Sequence, residues 1–137
     1  MGDQSTGELL SPLLRERRIR AARPYLQGKV LDISCGVVGL SVGIEQQRYE
    51  GVDRDAEPLE IARTRYSEHC FLAEMPSSET FDTITLLAVI EHIKAPDTLL
   101  QSLASQLSPG GSIVLTTPRP CCEWTHTFKS PPDPFPA

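Results

Sequence analysis

Two aspartates and one histidine, set among glycines and short apolar runs, carry the chemistry that can be read from this sequence. Asp32 closes the run VLD and opens the segment ISCGVVGL, where Gly36 permits a tight turn and a close backbone approach to a bound group. Asp53 closes a second run, YEGV, 21 residues after Asp32. That interval is one strand-helix unit, the distance at which a carboxylate accepts hydrogen bonds from a ribose diol. His92 follows the apolar run ITLLAVI at 84–90, and an imidazole with an ordinary pKa of about 6.5 suits a general base. A histidine that merely caps the loop after that run is an equally good reading. Glycine turns also occur at corners that bind nothing, so the signal lies in the acid at each strand end together with the turn.

Those residues need a scaffold that brings them together. Strands are expected at 29–33 (KVLDI), 49–53 (YEGVD), 70–73 (CFLA), 81–89 (FDTITLLAV) and 112–117 (SIVLTT). Between them, helices are expected over 40–47, over 56–68 with Asp55 as N-cap and Glu57 in the first turn, and over 97–107, with SPGG at 108–111 as a turn. Strands alternating with helices imply an α/β domain with a parallel sheet and right-handed crossovers. In such sheets ligands sit outside the carboxyl ends of the strands, where strand order reverses. That rule gathers 32–36, Asp53, 72–74 and 87–92 into one place. Upstream, residues 8–23 carry leucines at 9, 10, 13 and 14 and arginines at 15, 17, 18, 20 and 23. A helix starting near Ser11, packed by its leucines with a solvated arginine face, is expected here; the alternative is a basic amphipathic helix that lies on a membrane or meets an anionic substrate. After Thr117 six of the last twenty residues are proline, so an irregular tail is expected. The chain therefore divides into a helical segment at 1–24, one domain at 25–118 and a proline-rich tail at 119–137.

Composition bounds the function. With 137 residues, 39% hydrophobic and 23% charged, the chain has the make-up of one ordinary globular domain. A net charge of −5 gives no general attraction to nucleic acid. No apolar run nears the ~20 residues that span a bilayer, and MGDQST lacks the look of a signal peptide. Cys35, Cys70, Cys121 and Cys122 show no CxxC spacing, which fits reduced thiols in the cytoplasm. Cys121, Cys122 and His126 supply metal-ligand types without a complete set, and no metal site is expected.

VLDISCGVVGL, followed by YEGVDRDAEPLEIAR, FDTITLLAVIEHIKAPDTLL and LSPGGSIVLTTP, resembles a class I S-adenosylmethionine-dependent methyltransferase, most of all the ubiquinone-biosynthesis O-methyltransferase type. Four linked motifs over roughly residues 25–118 carry it. The resemblance implies a Rossmann-like sheet of order 3-2-1-4-5, S-adenosylmethionine as cofactor, S-adenosylhomocysteine as product, and a small-molecule acceptor methylated at oxygen or nitrogen. It also implies roles. Asp32 with the Ser34, Cys35 and Gly36 backbone matches the loop around the methionine part. Asp53 matches the carboxylate on the ribose, with Arg54 beside the adenine. Ala73 and Glu74 match the adenine edge, Leu87 the strand end facing the amino acid, and Glu91–His92 the pair at the substrate mouth, with His92 as the candidate base.

The sequence departs from that pattern in four places. Ser34 and Val38 stand where the loop has its first and third glycines, and Ser34 fits only if its φ is negative. Leu72 replaces an acid before the adenine edge. Ala88 stands where ubiquinone-type members carry a metal-binding glutamate. Finally, the last two strands of the family are expected to be absent, leaving the 112–117 strand as an apolar edge that a second copy of the chain would cover. Two rivals stay open. One is a methyltransferase-like protein without catalysis that works through protein-protein contacts. The other is a nicotinamide dinucleotide-binding domain, read from Ser34-x-Gly36-x-x-Gly39.

Overall fold

A computed structural model describes residues 13, 15–35 and 39–118, and the backbone of 123–129. Helix α1 covers residues 15–22. There follow β1 (Val30–Ile33), β2 (Tyr49–Val52), α2 (Ala56–Arg65), β3 (Cys70–Leu72), β4 (Phe81–Leu87), α3 (Pro96–Ala104), β5 (Leu107–Pro118) and β6 (Glu123–Lys129). The sheet order is β3-β2-β1-β4-β5-β6, with the first five strands parallel in the order 3-2-1-4-5 and β6 antiparallel to β5.

Alternation along the strands divides the core into two layers. Leu31, Ile84, Leu86, Ile113 and Leu115 lie on one face, where Leu103 of α3 closes over them. Tyr49 and Phe71 lie on the other, packed with Leu59 and Ala62 of α2 and with Leu40 and Ile44. Ile19 of α1 packs against this second layer. Proline at the first position of α3, with Asp97 in its first turn, starts that helix where neither a missing N–H nor a carboxylate is a penalty. Among the described residues no helix is long and apolar enough to cross a membrane.

Three expectations are corrected. Residues 40–47 form turns and the short 3-10 turn Gln46–Arg48, not a helix. Gly39 (φ 82°) and Gly43 (φ 86°) adopt left-handed backbone that a right-handed helix cannot contain. The SPGG segment lies within β5, looping out opposite Asp82, since Phe81 pairs with Leu107 and Thr83 with Ser112. The tail at 119–137 is not irregular throughout. Its prolines flank a proline-free stretch at 121–130, and β6 forms inside it, from Pro118 opposite Glu123 to Ser112 opposite Lys129. One antiparallel strand expected to be absent is thus present. Because β6 covers the β5 edge from within the chain, the reason for a homodimer at that edge disappears. The start of the N-terminal helix near Ser11 and the side chains of Cys121, Cys122 and His126 lie outside the described residues.

Candidate functional site

The strand order reverses between β1 and β4, and the carboxyl ends of four parallel strands meet there. Three further backbone hydrogen bonds continue the ladder past the strand ends. Cys35 N–H donates to the Val52 carbonyl at 3.0 Å, and Asp53 N–H donates to the Leu72 carbonyl at 3.1 Å. Ala88 N–H donates to both the Thr116 carbonyl (3.2 Å) and Thr116 Oγ1 (3.0 Å). These bonds tie the exit of β1 to β2, the exit of β2 to β3 and the exit of β4 to β5.

Two of those exits are left-handed without a glycine. Ser34 has φ 56° and Ala88 has φ 57°, each the first residue beyond its strand. The condition under which Ser34 would fit, a negative φ, is therefore not met, and its Cβ meets the steric cost that the usual glycine avoids. Gly36 and Val38 lie outside the described residues. At Gly39, itself left-handed (φ 82°), an added Cβ would stand 2.9 Å from the Tyr66 hydroxyl, and that side chain would have to shift.

Asp32 sits beneath this rim, 2% exposed. Its Oδ2 accepts from the Tyr49 hydroxyl and its Oδ1 from Thr85 Oγ1, both at 2.8 Å. Burial pushes its pKa up to about 6, against the pull of the two hydroxyls, while the nearby Asp53 charge adds to the rise. Burial also holds the Tyr49 phenol well above its ordinary value, with the Asp32 charge adding to the effect. Asp53, 9% exposed, closes β2. Its Oδ1 accepts the Asp55 N–H at 3.0 Å, an Asx-type turn that orients the carboxylate at the head of α2. Asp55 occupies the N-cap position, yet its side chain makes no capping bond.

The other candidates fall around this centre. Cys35 is buried against the β2 layer, and Leu87 is half-buried at the end of β4. Arg54, Ala73 and Glu74 are exposed just past β2 and β3. His92 is exposed at the end of the 3-10 turn Ile90–His92, five residues past the end of β4, with its N–H donated to the Val89 carbonyl at 2.9 Å. Sequence reasoning missed Tyr49, Thr85 and Thr116, all buried polar residues in the strands around Asp32 and Ala88. The available signal was a polar hydroxyl inside runs otherwise expected to be apolar.

The family model for a methyltransferase domain matches residues 7–137. The chain is similar to the ubiquinone biosynthesis O-methyltransferase of Vibrio cholerae, 28% identical over 120 residues, with 79% of this chain and 49% of the relative covered. The enzyme of the same name from Stutzerimonas stutzeri is 31% identical over 103 residues, covering 65% and 44%. The chain spans about half the length of the curated relatives it matches. Among solved structures, the fold is shared with SAM-bound CalS10, an amino pentose methyltransferase from Micromonospora echinaspora involved in calicheamicin biosynthesis. That match has a TM-score of 0.64 and 21% identity, over 87% of this chain and 58% of that one. The N-methyltransferase NodS from Bradyrhizobium japonicum, in complex with S-adenosyl-L-homocysteine, gives 0.62 and 18%, over 74% and 59%. With the family model running through nearly the whole sequence and the 3-2-1-4-5 sheet beneath it, the chain belongs to the methyltransferase-domain family of class I fold.

Proposed function

We propose that this chain binds S-adenosylmethionine across the carboxyl ends of β1 to β4 and transfers its methyl group to an oxygen or nitrogen of a small-molecule acceptor, in a cytoplasmic setting. The observation that carries this reading is Asp53, a nearly buried carboxylate held by its own turn at the end of β2, beside the point of strand reversal. The surrounding donor set fits the cofactor: a carboxylate for the ribose diol, a sharp turn at Ser34 leading backbone N–H groups past β1, and exposed residues beyond β3 for a flat base.

When bound, the cofactor supplies an electrophilic methyl on a sulfonium. Asp53 would hold the ribose hydroxyls, with Arg54, Ala73 and Glu74 available for the adenine. The Ser34–Gly36 backbone would receive the methionine part, with Cys35 pinned to β2 through Val52. The Leu87 backbone at the end of β4 would serve the amino-acid end. Displacement at a sulfonium disperses charge, so alignment and exclusion of water account for most of the rate. An imidazole nitrogen of His92 takes the proton from an acceptor O–H or N–H.

Calorimetric titration with S-adenosylmethionine, S-adenosylhomocysteine and NAD tests this directly. Micromolar binding of the first two and none of NAD is expected. Preference for NAD would transfer the site to the dinucleotide reading. Tight S-adenosylhomocysteine binding with no turnover on phenol or amine acceptors would leave the interaction-protein reading.

A further inference from the structure

Tyr49 opens β2 opposite Val30, two residues from Gly51, which pairs with Asp32. Its side chain lies along the sheet over Gly51 to reach Asp32. A Cβ at residue 51 would stand 2.8 Å from the phenol oxygen, 2.9 Å from Cys35 Sγ and 2.9 Å from Phe71 Cδ1. The missing side chain of Gly51 is thus the passage that admits both the phenol and the thiol of the loop residue Cys35. Through that passage the phenol meets Asp32 Oδ2, while Thr85 meets Oδ1 from β4. One carboxylate therefore joins β2, β1 and β4 directly beneath the exit of β1.

We propose that Tyr49 is a positioning residue for the cofactor loop, acting through Asp32 and the Gly51 passage to set where Ser34 and Cys35 leave β1. The proposal rests on the S-adenosylmethionine reading of the site. In this arrangement Asp32 holds the loop from below and the ligand contacts come from residues above it. Anionic Asp32 accepts from both hydroxyls at once, whereas protonated Asp32 must turn one bond around. Loop geometry should therefore follow its ionisation. The groups around it are the Tyr49 phenol on β2, the Thr85 hydroxyl on β4, Asp53 at the end of β2 and the Cys35 thiol. Beyond them, the His69 ring stands edge-on to Tyr49 at 5.5 Å, and Tyr66 follows α2. Removing the phenol takes away a donor that favours the anion, so the midpoint of Asp32 moves up.

The test is the Kd for S-adenosylhomocysteine, measured calorimetrically from pH 5 to 8 on the full chain and on Tyr49→Phe and Asp32→Asn, with circular dichroism to follow folding. Wild type should lose affinity as pH falls through about 6, where burial has moved the Asp32 carboxyl. Tyr49→Phe should bind at least about fivefold more weakly at pH 7.5, with the acid loss displaced upward by about one pH unit. Asp32→Asn should abolish that acid limb, and it decides the question if Tyr49→Phe does not fold. If wild type binds no S-adenosylhomocysteine, the cofactor reading and this inference fall together. If wild type binds but Tyr49→Phe matches it in Kd and pH midpoint, or Asp32→Asn keeps the acid limb, only the inference falls.

Discussion

Replacing Ser34 by glycine should make the protein more stable. Ser34 has φ 56°, and a residue with a Cβ in that region costs about 1–2 kcal/mol relative to its preferred backbone. Glycine removes the clash but loses about 0.5–1 kcal/mol more on ordering, because its unfolded chain is freer. Ser34 is exposed, so little burial is lost with its hydroxymethyl group. The balance is a gain of about 0.5–1 kcal/mol, which for a domain of this size raises Tm by roughly 2–5 °C. Ala88 supplies an internal comparison, with φ 57° but a half-buried methyl. Ala88→Gly gains the same backbone relief and loses burial of about 0.8 kcal/mol, so it should be close to neutral. The assay is thermal unfolding by circular dichroism for wild type and for the substitutions Ser34→Gly, Ser34→Asn and Ser34→Val. Asparagine tolerates left-handed backbone and valine does not, so Tm should fall from glycine through asparagine and serine to valine. If Ser34→Val proves as stable as wild type, a left-handed turn after β1 is refuted.

Four other outcomes follow from the same geometry. Asp53→Ala should weaken S-adenosylhomocysteine binding at least about tenfold while the fold persists, because hydrogen bonds to a charged acceptor contribute roughly 1.5–3 kcal/mol each; an unchanged calorimetric Kd would remove the ribose from Asp53. Gly51→Ala should cost about 1–3 kcal/mol in urea unfolding, through overpacking against Tyr49, Cys35 and Phe71. Leu103→Ala, at a residue 2% exposed on α3, should cost about 2–5 kcal/mol by leaving a cavity over β4 and β5. Asp32 is raised from 3.8 to about 6 in the folded chain, so between those values the native state binds more protons than the unfolded one. Its contribution to stability therefore falls as pH rises through that window, and the stability of Asp32→Asn relative to wild type, read from urea unfolding, should increase between the two ends of it.

The strands and the acids at their ends were legible because apolar runs, spacing and helix starts agree with one another in β1, β2, β4 and α3, whereas the sheet order came from the resemblance of the linked motifs. Other features depend on choices that sequence alone leaves open. Gly39 and Gly43 could sit in a helix at modest cost, and only their positive φ shows why 40–47 turns instead. Counting prolines over 118–137 hid the proline-free stretch that becomes β6, because proline disfavours a strand at its own position and not further along the chain. Ser34 illustrates the same limit in the site: a serine there favours negative φ, and only the turn itself shows that the costlier positive φ is adopted. Tyr49 and Thr85 escaped notice since each is an ordinary strand former, and their partnership with Asp32 exists only across the sheet.

The strand order also imposes a delay on synthesis. Asp32 and Thr85 are bonded neighbours in the sheet yet lie 53 residues apart in the chain. At about 5–20 residues per second, ribosomes take roughly 3–10 s to deliver β4 after β1 has emerged. During that interval β1 has β2 on one side and an open edge on the other, with Val30 and Leu31 exposed to any strand that passes. A nascent chain stalled before residue 81 therefore presents a sticky, two- or three-stranded fragment to its surroundings.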